Sequence, residues 1–306
     1  MKTLKVKTLK IIALLILALF ALAIIGQVLP RPTPPAVGKI VSLPSGVSIN
    51  TYQKGVGQTI VLTHGLPGSA HDWPELVDAL VARGFHVVWY DRVGYGHSSR
   101  RSAGDPHTMR VNGQELDALI AAMGLDHPAL VGWSFGGGTV QASQAARQTE
   151  TPFIVLLAAV APTMSMENRP VNPPGASVIM RLPLIGKIIT KAMISARFND
   201  PVPARWMKSA RSILLMKGSL KTMDTEMAQL DPKDLHPEEI HLPALIIHGR
   251  KDKLVPYDVG VKLTKSLPNG TLMTLDEAGH MLPMTYPEKV ANAIKSFADT
   301  HTKTTR

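Results

Sequence analysis

Short apolar runs alternate along this chain with longer stretches in which apolar residues recur every three or four positions. A predicted two-strand hairpin (KIVSLPSGVSINTYQKG) comes first. The runs TIVLTHG, FHVVWYD, PALVGWS and FIVLLAAVAPT then predict buried strands, and WPELVDALVARG, VNGQELDALIAAMG and FGGGTVQASQAARQ predict helices between them. Short apolar strands separated by helices are typical of a parallel sheet with both faces covered. The pattern therefore predicts an α/β fold with a mostly parallel central sheet.

The alternation stops near Pro162 and resumes at PALIIHG, which is followed by a helix, a strand (GTLMTLDEAG) and a last helix. We therefore predict one sheet domain, residues 39–161 and 242–306, interrupted by a helical insertion at residues 162–241. Between residues 162 and 221 there are ten Lys or Arg and two Asp or Glu. Two interpretations stay open: the cations face water, or a basic and apolar face rests on anionic lipid.

The N-terminal stretch is strongly apolar. Residues 11–29 carry no charge, are close to the roughly 20 residues that cross a bilayer as a helix, and follow four lysines. The positive-inside rule then predicts a single-pass membrane anchor over residues 1–30, with a cytoplasmic N-terminus and the following domain outside the cytoplasm, in the periplasm if the source is bacterial. A cleaved signal peptide and secretion is the alternative. The proline-rich residues 31–38 read as a stiff linker.

Composition excludes several classes of function. The chain has no cysteine, which rules out disulfides, thiolate metal sites and a cysteine nucleophile. The net charge of +10 falls partly on the four N-terminal lysines, and neither zinc-finger spacing nor a run of Lys and Arg is present. Nucleic acid is therefore not an expected partner.

The stretch VGWSFGGGTV places a serine between glycines where a buried strand meets a helix. A side chain at such a junction points out above the sheet only if the chain turns sharply, and Gly132 and Gly136 keep Cβ atoms out of the crowded turn. This is the pattern of a nucleophile elbow around Ser134. The helix that follows would aim its free amides at charge developing near the hydroxyl.

Five segments, taken together and in order, resemble the α/β-hydrolase family. They are LTHGLPGSAHDW, YDRVGYGHSS, GWSFG, IIHGRKDKLVP and EAGHMLPMTYPEKV, and the resemblance covers nearly all of residues 39–300. It implies an α/β-hydrolase fold in which the insertion forms a helical cap over the active site. It also implies a catalytic triad in the order serine, acid, histidine.

The resemblance places this triad at Ser134, Asp252 and His280, and the oxyanion hole at the backbone N–H groups of Leu66 and Phe135. A serine hydroxyl needs a base to take its proton and a third group to orient that base. This chemistry requires neither a metal nor a cofactor, and no His/Asp cluster in the sequence suggests a metal site.

Other residues of the same types compete for two of these roles. Three alternative acids are less well placed. Asp258 lies inside the next predicted helix, Asp276 is close in sequence to His280, and Asp91 has a structural role in the family. The alternative bases are His64, His71, His86, His97 and His248.

The resulting prediction is a membrane-tethered serine hydrolase that cleaves a carboxylic ester or related acyl compound through an acyl-enzyme intermediate, with a small to medium lipophilic substrate. A serine at position 134 argues against the dehalogenases and epoxide hydrolases of this fold, which use an aspartate nucleophile. A C–C bond hydrolase, aminopeptidase, thioesterase or perhydrolase remains compatible with the triad. A non-catalytic ligand receptor on the same scaffold is the alternative from a different class.

Overall fold

The computed structural model describes most of the chain from residue 36 onward. The described residues are 36–101, 104–146, 150–165, 182–195 and 200–302, with the isolated positions 10, 13, 14, 17, 18, 21, 24, 180 and 198.

An eight-stranded sheet forms the centre of this part of the chain. Its strands are β1 (Lys39–Ser42), β2 (Ser48–Lys54), β3 (Gln58–Thr63), β4 (Phe85–Tyr90), β5 (Ala129–Trp133), β6 (Ile154–Leu157), β7 (Ala244–Gly249) and β8 (Gly270–Leu275). The spatial order is β1-β2-β4-β3-β5-β6-β7-β8. The pairings of β1 with β2 and of β2 with β4 are antiparallel, whereas the five pairings along the order β4-β3-β5-β6-β7-β8 are parallel. The predicted mostly parallel sheet is confirmed.

The helices follow the predicted alternation. They are α1 (Pro74–Val81), α2 (Met109–Met123), α3 (Phe135–Ala145), α4 (Pro183–Ser195), α5 (Ala204–Leu214), α6 (Ser219–Gln229), α7 (Tyr257–Ser266), α8 (Leu282–Thr285) and α9 (Pro287–His301). Local signals set their ends: the Thr108 hydroxyl accepts from the Val111 amide at the start of α2, and left-handed Gly124 ends that helix.

Two apolar cores lie on opposite faces of the sheet, because successive strand residues point to opposite sides. Ile60 and Leu62 of β3 pack with residues of α1 and α9 on one face. Val61, between them, packs with residues of α2, α3 and α7 on the other. The central strands are therefore buried on both sides, which explains why they read as continuous apolar runs.

The inserted segment (residues 162–241) leaves the sheet after β6 and returns at β7. It contains α4, α5 and α6 in the described residues, followed by two short 3₁₀ turns at Pro232–Asp234 and Pro237–Glu239. Its helical character agrees with the sequence pattern. Trp206 of α5 and Ile194 of α4 pack into the core on the α1 side of the sheet.

The membrane prediction is wrong. No helix in the described part of the chain combines the length and the apolar character that crossing a bilayer requires. This finding overturns the transmembrane helix that hydropathy predicted over residues 11–29, and with it the single-pass membrane location. Most of the predicted anchor and the linker at residues 31–38 lie outside the described residues.

Candidate active site

Parallel strands end at the same edge of a sheet, which is where α/β proteins place their ligand sites. At this edge β3 ends at Thr63, β5 at Trp133, β7 at Gly249 and β8 at Leu275. The predicted triad residues Ser134, Asp252 and His280 and the predicted oxyanion residue Leu66 follow the ends of these strands, and Phe135 begins the helix after β5. The topology therefore gathers segments that are far apart in sequence.

Ser134 directly follows β5 and has an unusual backbone conformation with a positive φ, at φ 55° and ψ −120°. Hydrogen bonds hold this unusual conformation: the Ser134 amide donates to the Leu157 carbonyl at 2.9 Å, and the Ser134 carbonyl accepts from Gly137 at 3.0 Å and Val160 at 3.2 Å. Positive φ in a non-glycine residue is unfavourable and persists only where the surroundings enforce it. The turn thus has the strained geometry expected of an elbow.

The two glycines flanking Ser134 are required by close backbone approach. A Cβ on Gly132 would lie 2.4 Å from the Gly136 carbonyl oxygen, and a Cβ on Gly136 would lie 2.1 Å from the Thr63 carbonyl oxygen. Neither glycine has a positive φ, whereas Ser134 does. The strain therefore falls on the serine, and the glycines allow β3, β5 and α3 to pack tightly around it.

Asp252 and His280 form a buried pair beside this turn. The distance from His280 Nδ1 to Asp252 Oδ2 is 2.7 Å, and the other carboxylate oxygen accepts from the amides of Leu254 at 2.8 Å and Val255 at 2.9 Å. Because a carboxylate only accepts, Nδ1 carries the proton, which leaves the Nε2 lone pair free. The arrangement orients the imidazole as the base of a triad requires.

The surroundings keep the Asp252 carboxyl ionised. Burial by itself raises the pKa of this group, but the facing His280 and His248 rings lower it by more, through charge attraction and hydrogen bonding. The net effect is a pKa below the ordinary value for aspartate. A carboxylate at this position is therefore available as a hydrogen-bond acceptor across the physiological pH range.

Trp133 connects His280 to the serine turn. Its backbone directly precedes Ser134, its indole Nε1 donates to the His280 carbonyl at 2.9 Å, and the two ring centroids are 5.5 Å apart. Within the described residues, no hydrogen bond joins Ser134 Oγ to the imidazole. Hydrogen bonds between a nucleophile and its base often form only once substrate binds. The structure thus pairs Asp252 with His280 and places Ser134 on the neighbouring loop.

Phe135 follows Ser134 directly in the chain, and Leu66 follows Gly65 in a loop that packs against Ser134. The loop after β3 passes so close that a Cβ on Gly65 would be 3.1 Å from the Ser134 Cβ. Neither the Leu66 amide nor the Phe135 amide donates to any other described residue. Phe135 is the first residue of α3, so its amide is one of the unpaired donors at a helix N-terminus.

Arg92, which is fully buried, fixes the direction of the Leu66 amide. Its guanidinium donates to the carbonyls of His64 at 3.2 Å and Gly65 at 3.1 Å, and it pairs with Glu226 of the inserted segment at 2.6 Å. A planar trans peptide points its C=O and N–H in opposite directions. The bond to the Gly65 carbonyl therefore turns the Leu66 N–H away from Arg92, and Leu66 lines a cavity that Ser134 also lines.

His64 is committed to this loop and is not available as a base. Its Nε2 accepts from the Arg92 amide at 2.9 Å, and its Nδ1 donates to the Gly65 carbonyl at 2.9 Å. Burial, together with the charge of Arg92, holds the pKa of the His64 imidazole well below its usual range. The ring is therefore neutral and has both nitrogens occupied.

The competing acids have other partners. Asp258 lies in α7 and pairs with Lys262 at 2.8 Å, and Asp276 pairs with Arg250 at 2.6 Å on the surface. Asp91 is buried and accepts from the Ala70 amide at 2.8 Å. None of the three therefore takes the place that Asp252 has beside His280.

The remaining histidines lie away from the serine turn or in structural contacts. His248 Nε2 lies 2.9 Å from the Val255 carbonyl, behind Asp252. His71 Nε2 lies 3.3 Å from the Tyr52 hydroxyl, His86 Nδ1 lies 3.1 Å from Thr59 Oγ1, and the His97 amide donates to Asp91.

A cavity of about 650 Å³ opens in front of Ser134. The sheet domain contributes Leu66, Phe135 and Leu254 to its wall, and the inserted segment contributes Met223 and Met227. Most of the lining side chains are apolar, which suits a lipophilic ligand. No group of three or more potential metal ligands occurs in the part of the chain that the structure describes.

Sequence patterns did not reveal four residues of the inserted segment that contact the site. Asp200 accepts from amides on both sides of His280, and Phe198 stacks on the His280 ring. Trp206 donates to Asp72, and Glu226 pairs with Arg92. All four depend on contacts between residues far apart in sequence, so no local periodicity or motif signals them.

Comparison with known proteins places the chain among hydrolases. A sequence profile of the alpha/beta hydrolase family matches residues 60–293. The chain is 28% identical over 268 residues to a non-heme chloroperoxidase of Streptomyces lividans, covering 79% of this chain and 91% of that protein. It is 27% identical over 257 residues to the bifunctional esterase/perhydrolase DCH of Acinetobacter calcoaceticus, covering 78% and 90%.

The fold likeness extends to solved structures. An esterase (EaEST) from Exiguobacterium antarcticum superposes with a TM-score of 0.72 at 20% identity, covering 86% of this chain and 99% of that one. Identity at this level supports the fold and leaves the chemistry to be argued from the site.

Proposed function

Because the chain belongs to the alpha/beta hydrolase family, we propose that it is a serine hydrolase that cleaves a carboxylic ester or a related acyl compound. Ser134 is the nucleophile, His280 the general base and Asp252 the acid that orients it. The amides of Leu66 and Phe135 form the oxyanion hole. Gly132 and Gly136 are the elbow glycines, and the chemistry calls for no metal or cofactor.

The reaction runs through an acyl-enzyme. Ser134 Oγ attacks the substrate carbonyl carbon while His280 Nε2 takes its proton, and the two amides bind the oxygen that becomes negative. The tetrahedral species collapses, and the imidazolium protonates the departing alcohol. Water, deprotonated by His280, then attacks the acyl carbon, releases the carboxylic acid and restores the Ser134 hydroxyl.

The observation that carries this proposal is the hydrogen bond between His280 and Asp252, at the same sheet edge as Ser134. A histidine whose Nδ1–H donates to a buried carboxylate keeps its basic Nε2 available to accept a proton. Support comes from the positive end of α3, because a helix N-terminus favours negative charge. A ligand receptor without catalysis has no need of this combination.

The cavity indicates the class of acyl group. A volume of about 650 Å³ with mainly apolar walls fits a small to medium lipophilic substrate. We further propose that residues 162–241 act as a cap on the sheet domain formed by residues 39–161 and 242–306. The walls contributed by Met223, Met227 and Trp206 support that division.

A fluorophosphonate probe tests the assignment directly. The wild-type chain should label at one serine, and Ser134→Ala should abolish both the label and the hydrolysis of p-nitrophenyl esters, with a loss on the order of 10⁴-fold or more. Ser165→Ala, which alters another serine lining the cavity, should still label. Labelling that persists in Ser134→Ala would contradict the proposal, as would absence of label in the wild type.

The name of one relative, the bifunctional esterase/perhydrolase, favours perhydrolysis as a second candidate activity. Hydrogen peroxide in place of water would attack the same acyl carbon, so that the Ser134 ester is released as a peracid and the hydroxyl is restored. We expect peracid to form when ester, enzyme and peroxide are mixed, and not with Ser134→Ala. An unchanged yield of carboxylic acid with no peracid would rule out perhydrolysis and leave hydrolysis as the remaining activity.

A further inference from the structure

Asp200 lies in the inserted segment and touches the loop that carries His280. Its two carboxylate oxygens accept separate hydrogen bonds, one from the Gly279 amide at 2.8 Å and one from the Met281 amide at 2.9 Å. These two residues are the immediate neighbours of His280 in the chain. One side chain therefore restrains the backbone on both sides of the proposed base.

The contact is tight and enclosed. Asp200 is 8% exposed, and a Cβ on Gly279 would lie 2.6 Å from Asp200 Oδ2. A side chain at position 279 would force the Asp200 carboxylate to shift from this position. The close approach thus requires glycine at this position for the bond to the amide to form.

A buried carboxylate is costly unless it is well hydrogen-bonded. Among the described residues, no lysine, arginine or histidine pairs with Asp200, and its partners are the two amides. A residue that served only to fill this space would be apolar, since an apolar side chain avoids that desolvation cost. The hydrogen bonds to the loop that carries His280 therefore explain why a carboxylate occupies this buried position.

The ring of His280 is restrained from the same segment. Phe198, two residues before Asp200, stacks on the imidazole with centroids 5.8 Å apart and planes 22° from parallel. Trp206 of α5 supports Phe198 edge-on, at 5.8 Å and 86°. Backbone and ring of the base are thus both in contact with the inserted segment.

We propose that Asp200 is a positioning residue for the general base: its carboxylate, supplied by the inserted segment, fixes the His280 backbone so that the imidazole meets Ser134 and Asp252 together. The inference rests on the proposed function, because it assumes that His280 is the base. In an enzyme of this kind a displacement of about 1 Å can reduce the rate on the order of 100-fold.

The test compares full-length Asp200→Asn and Asp200→Ala with the wild type. Asn has the same shape but keeps only one acceptor oxygen, so we expect kcat to fall about 10-fold, and Ala, which loses both bonds, should reduce it about 100-fold. KM should change less than about 3-fold, because Asp200 is not among the residues that line the cavity. The rate of fluorophosphonate labelling should fall by the same factors as kcat.

Asp276→Asn is the matched control, since it makes the same change at an exposed carboxylate four residues before His280. It should keep wild-type kcat. A lower melting temperature with unchanged kcat in Asp200→Asn would overturn the inference, because the role would then be structural only. A rise in KM with unchanged kcat would also overturn the inference. If Asp200→Ala does not fold, the comparison of Asp200→Asn with the wild type is sufficient to test it.

A second readout does not depend on catalysis. The Nδ1 proton of His280, identified in proton NMR by its disappearance in His280→Gln, should exchange with water at least about 5-fold faster in Asp200→Asn than in the wild type. An unchanged exchange rate would contradict the positioning role even if the protein proved not to be a hydrolase. Absence of wild-type labelling, by contrast, contradicts the proposed function alone.

Discussion

The loop after β3 and the loop after β8 leave the sheet at the same edge, yet the inserted segment holds them by different means. The first is held through a buried ion pair, in which Glu226 of α6 binds Arg92 and Arg92 in turn binds the carbonyls of His64 and Gly65. The second is held directly, by one carboxylate on two backbone amides.

The two contacts differ in the energetic cost of losing the carboxylate. In the first loop two buried charges depend on each other, so losing one leaves the other uncompensated in a medium that solvates it poorly. In the second loop the partners are neutral amides, and losing the carboxylate leaves two unpaired donors rather than an isolated charge. We therefore expect the first contact to control stability more strongly, and the second to act mainly on the geometry of His280.

Breaking the ion pair should have the largest effect on folding. Glu226→Gln keeps the shape of the side chain but removes the charge that compensates Arg92, and the loss of unfolding free energy should be about 3 kcal/mol. Urea unfolding at pH 7 measures it. Tyr95, whose hydroxyl donates to Glu226 at 2.7 Å, loses part of its anchoring in the same variant.

Glu115→Gln is the control for this comparison, because Glu115 also makes a two-bond pair with an arginine, Arg101, but is 14% exposed. Its loss should be about 1 kcal/mol, since water can replace part of the interaction. Equal losses in the two variants would show that burial of the Arg92 pair does not matter.

The first loop also contains a buried acid, Asp72, whose ionisation should make stability depend on pH. Trp206 Nε1 donates to Asp72 at 2.9 Å, and burial raises the pKa of Asp72 from 3.8 to about 7, against the effect of the hydrogen bonds from Ser69 and Trp206. The folded state then binds this proton more tightly than the unfolded chain. The associated stability is present at low pH and is lost as the pH rises through 7.

We expect the contribution of Asp72 to unfolding free energy to fall by about 1 kcal/mol between pH 6 and pH 8. Asp72→Asn should remove that part of the pH slope, as urea unfolding at several pH values would show. Asp78→Asn, at an exposed carboxylate of α1, should leave the slope in place. A slope that is the same in the wild type and Asp72→Asn would rule out Asp72 as its source.

An exposed pair far from both loops should have the smallest effect. Lys295 and Asp299 of α9 form a surface ion pair one helical turn apart. Lys295→Ala should change the unfolding free energy by less than about 0.5 kcal/mol, because water and salt screen the charges. A loss comparable to that of Glu226→Gln would remove the basis for separating buried from exposed pairs.

Much of the fold could be predicted from the sequence, because the period of apolar residues reports directly on burial. The strands β3, β5 and β7 are buried on both faces and read as uninterrupted apolar runs, and Gly84 and Gly124 mark helix ends. The same reasoning failed for residues 11–29. Local hydropathy there predicted a membrane span that the described structure does not contain.

The loops that carry the candidate site were also predictable, since each has a recognisable pattern after a strand. That Asp252 and His280 pair, however, depends on the distance between two loops, which the sequence does not contain. Gly132 and Gly136 were expected to keep Cβ atoms out of a crowded turn, and Cβ atoms there would indeed lie too close to neighbouring carbonyls, whereas the positive φ of Ser134 itself is visible only in the folded chain.

What the sequence by itself determined is the order of elements and the loops that could bear chemistry, because periodicity and turn residues act over a few positions. Only the tertiary structure decided how those loops are held. Asp200 and Glu226 stand in a segment whose sequence has no motif that marks them, and their importance comes from buried partners 79 and 134 residues away. Whether a buried charge is compensated depends on what surrounds it in space, and that is a property of the folded chain alone.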